Sequence, residues 1–189
     1  MKVKCLFLLS LVMLFCEIHH ANAQTADNSF MISGDQFGKG MVYVFPADVE
    51  TTYLGNFDPN NKGMNVHAFN TVIKSGKEQT IQMLFTIDER ASGTYHFGAP
   101  PEIPPPYASG IIQINTSDLT PPHVSALPIK GTLTVTGVGG KGQFITGSYA
   151  GTFVQYEEST PGGSSEPKIK ATYQISGHFH CYRSPYELM

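Results

Sequence analysis

The stretch from Gly131 to Arg183 constrains the fold more than any other part of this chain. It reads GTLTVTGVGGKGQFITGSYAGTFVQY and, after a polar break, KATYQISGHFHCYR: three strands punctuated by glycine. Branched and aromatic side chains dominate it, and these fit a pleated, half-buried surface. In the last strand Tyr173, Ile175, Gly177, Phe179 and Cys181 fall on one side, and Thr172, Gln174, Ser176, His178 and His180 on the other. The first set should pack inward and the second should face solvent or a groove. Ile81, Met83, Phe85 and Ile87 repeat the pattern between Thr80 and Ile87.

Further strand-like segments precede these: Ser29 to Ser33, Met41 to Phe45, Asn65 to Lys74, Thr94 to Phe97 and Ile111 to Asn115. The later ones run from Thr132 to Val138, Gln143 to Tyr156 and Lys170 to Tyr182. No apolar period of 3.6 persists long enough to give a helix. The expected class is all-β, a single antiparallel β-sandwich or calycin-like barrel of eight to ten strands. Gly139 and Gly140 occupy a hairpin turn where positive φ is expected, so the strands on either side should pair antiparallel. Gly147 and Gly151 inside the next strand are expected to mark a bulge or a bend where the sheet curls.

The first 23 residues read as a secretory signal peptide. Lys2 and Lys4 precede an apolar core from Leu6 to Phe15, and Ala21, Asn22 and Ala23 supply the cleavage site before Gln24. The apolar run falls short of the ~20 residues that span a bilayer, so no transmembrane segment is expected after cleavage. Cys16 stands where a lipoprotein cysteine would, but Phe15 before it is bulky where lipoprotein processing needs a small residue. The expectation is a secreted or periplasmic protein without a lipid anchor, with residues 24–189 forming one all-β domain. A chain of that length buries roughly 70% of its unfolded surface. Removing the leader takes the basic count from 12 to 10 and the acidic count from 15 to 14, a net charge of −4 with histidines neutral. That balance gives nucleic acid no cluster of cations to bind. Cys5 and Cys16 leave with the leader, so Cys181 cannot form an intramolecular disulfide and is expected to be a small buried hydrophobe.

Proline and glycine mark the irregular segments. Ala99 to Pro106 and Thr120 to His123 should run as extended loops, and Thr160 to Pro167 as a flexible connection. Asp58 to Gly63 resembles the start of a calcium loop, yet Lys62 at its fifth position and Phe69 at its twelfth leave a turn held by Asp and Asn side chains.

The sharpest candidate chemistry is His178 with His180. Residues two apart on a strand project to the same side, so both imidazoles can reach one zinc ion, with His67 or His96 as a possible third ligand. Thr146 to Gly151 has a serine at Ser148 but lacks the glycine two residues earlier that a nucleophile elbow needs, and it lies in a strand. Asp88, Glu89, Glu157 and Glu158 are the acids from which a glycosidase pair could be drawn, but adjacent acids alternate faces or sit in turns. With no Trp in the chain, Tyr43, Tyr53, Tyr95, Tyr149 and Tyr173 are the residues that could stack on a sugar. No glycine loop precedes a helix, so nothing supports nucleotide binding.

Several of these segments resemble an uncharacterised family of exported, often lipid-anchored β-proteins of Bacteroidetes. They are Phe85 to Ile87, Gly93 to Tyr95, Gly131 to Thr136, Ile145 to Phe153 and Ile175 to Phe179, and the resemblance covers Thr80 to Arg183. It implies a compact β-sandwich or calycin-like barrel in the periplasm or outside the cell, with no catalytic residues to carry over. The function expected from all this is non-enzymatic and needs no cofactor: binding a small molecule, glycan or envelope protein through the surface or the barrel mouth. The rival expectation is a metal-binding protein or metal-dependent hydrolase using His178 and His180.

Overall fold

The computed structural model describes residues 28–45, 56–57, 63–74, 76–98, 105–116, 123–157 and 167–183. Residues 1–27, with the expected signal peptide and Cys5 and Cys16, together with Tyr53, Asp58 to Lys62, Glu158 and most of the three Pro- and Gly-rich segments, lie outside them. The strands are β1 (Asn28–Gly34), β2 (Gly38–Phe45), β3 (Asn56–Phe57), β4 (Met64–Lys74) and β5 (Lys77–Ile87). They continue with β6 (Gly93–Phe97), β7 (Tyr107–Thr116), β8 (Val124–Val138), β9 (Phe144–Tyr156) and β10 (Ile169–Tyr182). All ten belong to one sheet in the spatial order β2-β1-β10-β9-β8-β6-β7-β5-β4-β3, with β8 also pairing β7. Every ladder is antiparallel except the short β6–β7 contact. The class is all-β, and the sheet curls into a half-barrel around one core.

Period-two alternation decides which side faces in. Tyr173, Ile175, Phe179 and Cys181 of β10 are buried, as are Ile81, Met83, Phe85 and Ile87 of β5. The curl comes from close approaches at glycine. In the β9–β10 ladder Gly147 lies opposite Phe179 and Gly177 opposite Tyr149; the Phe179 ring occupies the space where a Gly147 side chain would stand, and the Ser29 carbonyl and the Tyr149 hydroxyl occupy that of Gly177. A large ring folded over a paired glycine bends the sheet while keeping the core filled. Gly147 is such a position, whereas Gly151 lies against the Lys130 carbonyl of β8, and the β9–β10 register runs unbroken through both. Register shifts occur instead along β8, between Pro128 and Lys130 and between Val135 and Gly137, and at the start of β10 between Ile169 and Ala171.

Two expectations need correction. The 139–144 hairpin forms, with the Gly139 amide donating to the Phe144 carbonyl at 3.0 Å, but the positive φ of 78° falls on Gly142 and not on Gly139 or Gly140. The strand expected to begin at Thr132 begins at Val124. Pro128 hid this half. Residues 124–126 of β8 pair with β7 and residues 131–135 pair with β6, so Pro128 lies at the bulged hand-over between them. A proline's missing donor is tolerated at such a place.

Side chains tie the far ends of the curl together. The Tyr43 hydroxyl donates to Gln79 Oε1 at 2.9 Å, and Lys74 Nζ donates to the Val42 carbonyl at 2.8 Å while sitting 5.6 Å from the Tyr43 ring centre. One end of the interior is stopped by the turn at Asp35–Phe37. Asp35, held at φ 27°, accepts the Thr172 amide at 2.6 Å through Oδ2, and the Phe37 ring packs edge-on to Tyr173 at 5.8 Å. Beneath it Gln36 Nε2 donates to the Tyr173 hydroxyl (3.0 Å), which donates to Gln155 Oε1 (3.1 Å). Gln155 Nε2 then donates to the His123 carbonyl at 3.5 Å. Such a chain satisfies polar groups that would be costly to bury unpaired.

Cys181 is fully buried, as expected, with its thiol 3.5 Å from Asn28 Oδ1. Burial pushes it from an ordinary 9.0 up to about 12, and burial likewise takes Tyr43 from 10.0 to about 12. Both groups hold their protons more tightly folded than unfolded. Their contribution to stability is complete below about pH 9 and is lost as the pH rises towards 12, where the unfolded chain has released protons that the fold keeps. Denaturant titrations should give a flat stability from pH 7 to 9 and a steady fall above it. Cys181 should stay unreactive to a thiol reagent until the protein unfolds.

Candidate functional site

The outer face of the half-barrel carries a groove of about 460 Å³ walled by β8, β9, β10, β1 and β2. Period-two ordering points Thr132 and Thr134 of β8, Ser148 and Ala150 of β9, and Ser176 and His178 of β10 to this side. Strands β1 and β2 add Ser29, Met31 and Val42. Register aligns these into cross-strand rows. Thr94, Thr134, Ser148, His178 and Ser29 are consecutive partners across β6, β8, β9, β10 and β1. His96, Thr132, Ala150, Ser176 and Met31 form the next row. Within the first row Thr94 and Thr134 share a hydrogen bond of 3.2 Å, and Ser29 Oγ lies 3.1 Å from both His178 ring nitrogens. Among the described residues, the groove lining includes no Lys, Arg, Asp or Glu side chain.

His178 and His180 project to this face together, as expected, but turn to different neighbours. His178 meets Ser29 on β1, while the His180 ring lies 4.1 Å from that of Phe144 on β9. His96 is three strands from β10, roughly 14 Å at the usual strand spacing. His67 lies on β4 near the opposite edge of the sheet, where burial lowers its pKa. Among the described residues no group of three His, Cys, Asp or Glu could hold a metal ion.

The other candidates are dispersed. Asp88 and Glu89 sit in the turn after β5, where Asp88 Oδ2 accepts the Tyr107 amide at 3.3 Å, and Glu157 follows β9. Ser148 is exposed in mid-strand, opposite Thr134 and His178. The tyrosines considered for sugar stacking are corrected outright: Tyr43, Tyr95, Tyr149 and Tyr173 all point inward and are at most 3% exposed, because alternation assigns them to the core face. Two depressions of about 330 Å³ each adjoin at the stoppered end and share His123, Gln155 and Lys170.

The contributions of Ser29, Met31 and Val42 were not anticipated. The outward set of β10 could be read from its alternation, but nothing local says that β1 pairs with β10, 140 or more residues away in sequence. A scan of protein-family models and searches of curated proteins and of solved structures return no match to this chain, so the groove must be interpreted from its own chemistry.

Proposed function

We propose that this chain is an exported, non-enzymatic β-domain that binds a ligand or another envelope component on the outer face of its sheet. The groove built from five strands carries this reading. The inward positions that a calycin-like carrier would use are filled by packed rings such as Phe85, Phe97 and Phe153. The Ser29–His178 pair argues for binding over hydrolysis. Among the described residues no carboxylate lines the groove to orient the imidazole, and the amides of β9 and β10 are engaged in ladders instead of converging on an oxyanion.

Two measurements on the purified mature protein test this. Amide chemical-shift mapping with neutral, anionic and peptide ligands should move Ser148, Ser176, Gly177 and His178 for at least one class. Shifts confined to His123, Gln155 and Lys170 would transfer the function to the stoppered end. Metal analysis should find no bound zinc, and one equivalent of zinc lost on His178→Ala would replace this reading with the metal-dependent one.

A further inference from the structure

We infer that the outer groove takes a neutral, extended polysaccharide chain lying across the strands. This rests on the binding role proposed above and names its ligand class. Three observations carry it.

The first is charge. Among the described residues the lining has hydroxyls and one imidazole but no Lys, Arg, Asp or Glu, so a phosphorylated, acidic or basic ligand would give up water around its charge and find no opposite charge from those side chains. The second is the type of polar group. Serine and threonine hydroxyls each donate and accept, as sugar hydroxyls do, and those of Thr132, Ser148 and Ser176 make no hydrogen bond among the described residues. Met31 and Val42, 45% and 50% exposed at the β1–β2 side, offer apolar surface for the C–H faces of a sugar ring. This takes the place of the aromatic platform that the inward tyrosines cannot provide.

The third is direction. The rows run perpendicular to the strands, and each step along Thr134, Ser148, His178 and Ser29 is one strand spacing, about 4.8 Å. That is close to the length of one pyranose unit in an extended β-linked chain. A peptide recognised by a sheet gains most from adding to an edge, where backbone groups are open; a face of hydroxyl rows offers it no ladder.

The probes are cellohexaose and chitohexaose as extended β-linked chains, glucose as the single unit, hexagalacturonate as an anionic chain, and a neutral hexapeptide. The β-linked hexasaccharides should shift Ser148, Ser176, Gly177 and His178 at millimolar concentration, and at least about tenfold more tightly than glucose, because successive rungs act together. The double change Thr132→Val with Ser176→Ala removes two hydroxyls at little change of shape. It should weaken binding about tenfold with the melting temperature unchanged, while Gln174→Ala, on the same strand outside the groove, should bind normally. If hexagalacturonate or the peptide moves the groove amides and the neutral chains do not, the ligand class is wrong and the binding role stands. If no probe moves them, the inference and the role proposed for the groove fail together.

Discussion

Gly131→Ala should cost about 3 kcal/mol or more, enough to lower the melting temperature of a domain this size by roughly 10 °C. Gly131 has φ 132°, a conformation that side chains with a β-carbon rarely adopt, and an added methyl would run into the carbonyl of Ala150 and the backbone at Gly151. Those obstacles are main chain in the middle of β9, held by ladders on both sides, so relief requires β8 and β9 to separate. Gly140→Ala is the comparison. Its new methyl would lie 3.6 Å from the flexible end of Gln143, and φ there is not positive, so stability should change by under about 0.5 kcal/mol. Equal melting temperatures for the two variants would show that the crossing at Gly131 is looser than described.

The same contrast explains what the sequence could reveal. Nine of the ten strands were legible because a half-buried strand writes its orientation locally: Tyr173, Ile175 and Phe179 alternate with Thr172, Gln174 and Ser176 whatever lies beside them. The tenth, Asn56–Phe57, is too short to show any period. The Gly139–Gly140 turn could be located, but not which residue takes positive φ, because the β8 and β9 register sets that, and the register contains shifts that no local pattern records. Pro128 misled for the same reason, since whether a missing donor matters depends on the partner strand. The groove is further removed still. Only the β10 part of it, Ser176 and His178, follows from the alternation noted in that strand. The β1 wall reaches it through long-range pairing from the opposite end of the described chain. The tyrosines show the converse limit: residue type suggested sugar stacking, and position in the alternation overruled it.

Phe85→Ala should be the most damaging side-chain truncation, at about 3–5 kcal/mol and a fall of roughly 10 to 15 °C in melting temperature. Phe85 is fully buried on β5, its ring 4.6 Å from that of Tyr149 on β9 and 5.7 Å from that of Phe97 on β6; Phe97 continues to Phe153 on β9 at 5.7 Å. These rings span the interior between strands that are not neighbours in the sheet, so their packing ties together parts of the curl that no ladder joins. Removing Phe85 also uncovers Gly110, its partner on β7, over whose missing side chain the ring lies, so Gly110 has no side chain to help fill the gap. Because Phe85 and Phe97 touch, their cavities would merge. The double variant Phe85→Ala/Phe97→Ala should therefore depart from the sum of the single losses by about 0.5–3 kcal/mol. Phe144, 36% exposed beside His180 on the outer face, provides the control, and its truncation should cost about 1 kcal/mol or less. A Phe85→Ala protein as stable as Phe144→Ala would mean that the sheet holds its curvature through backbone pairing alone and does not need the rings that cross it.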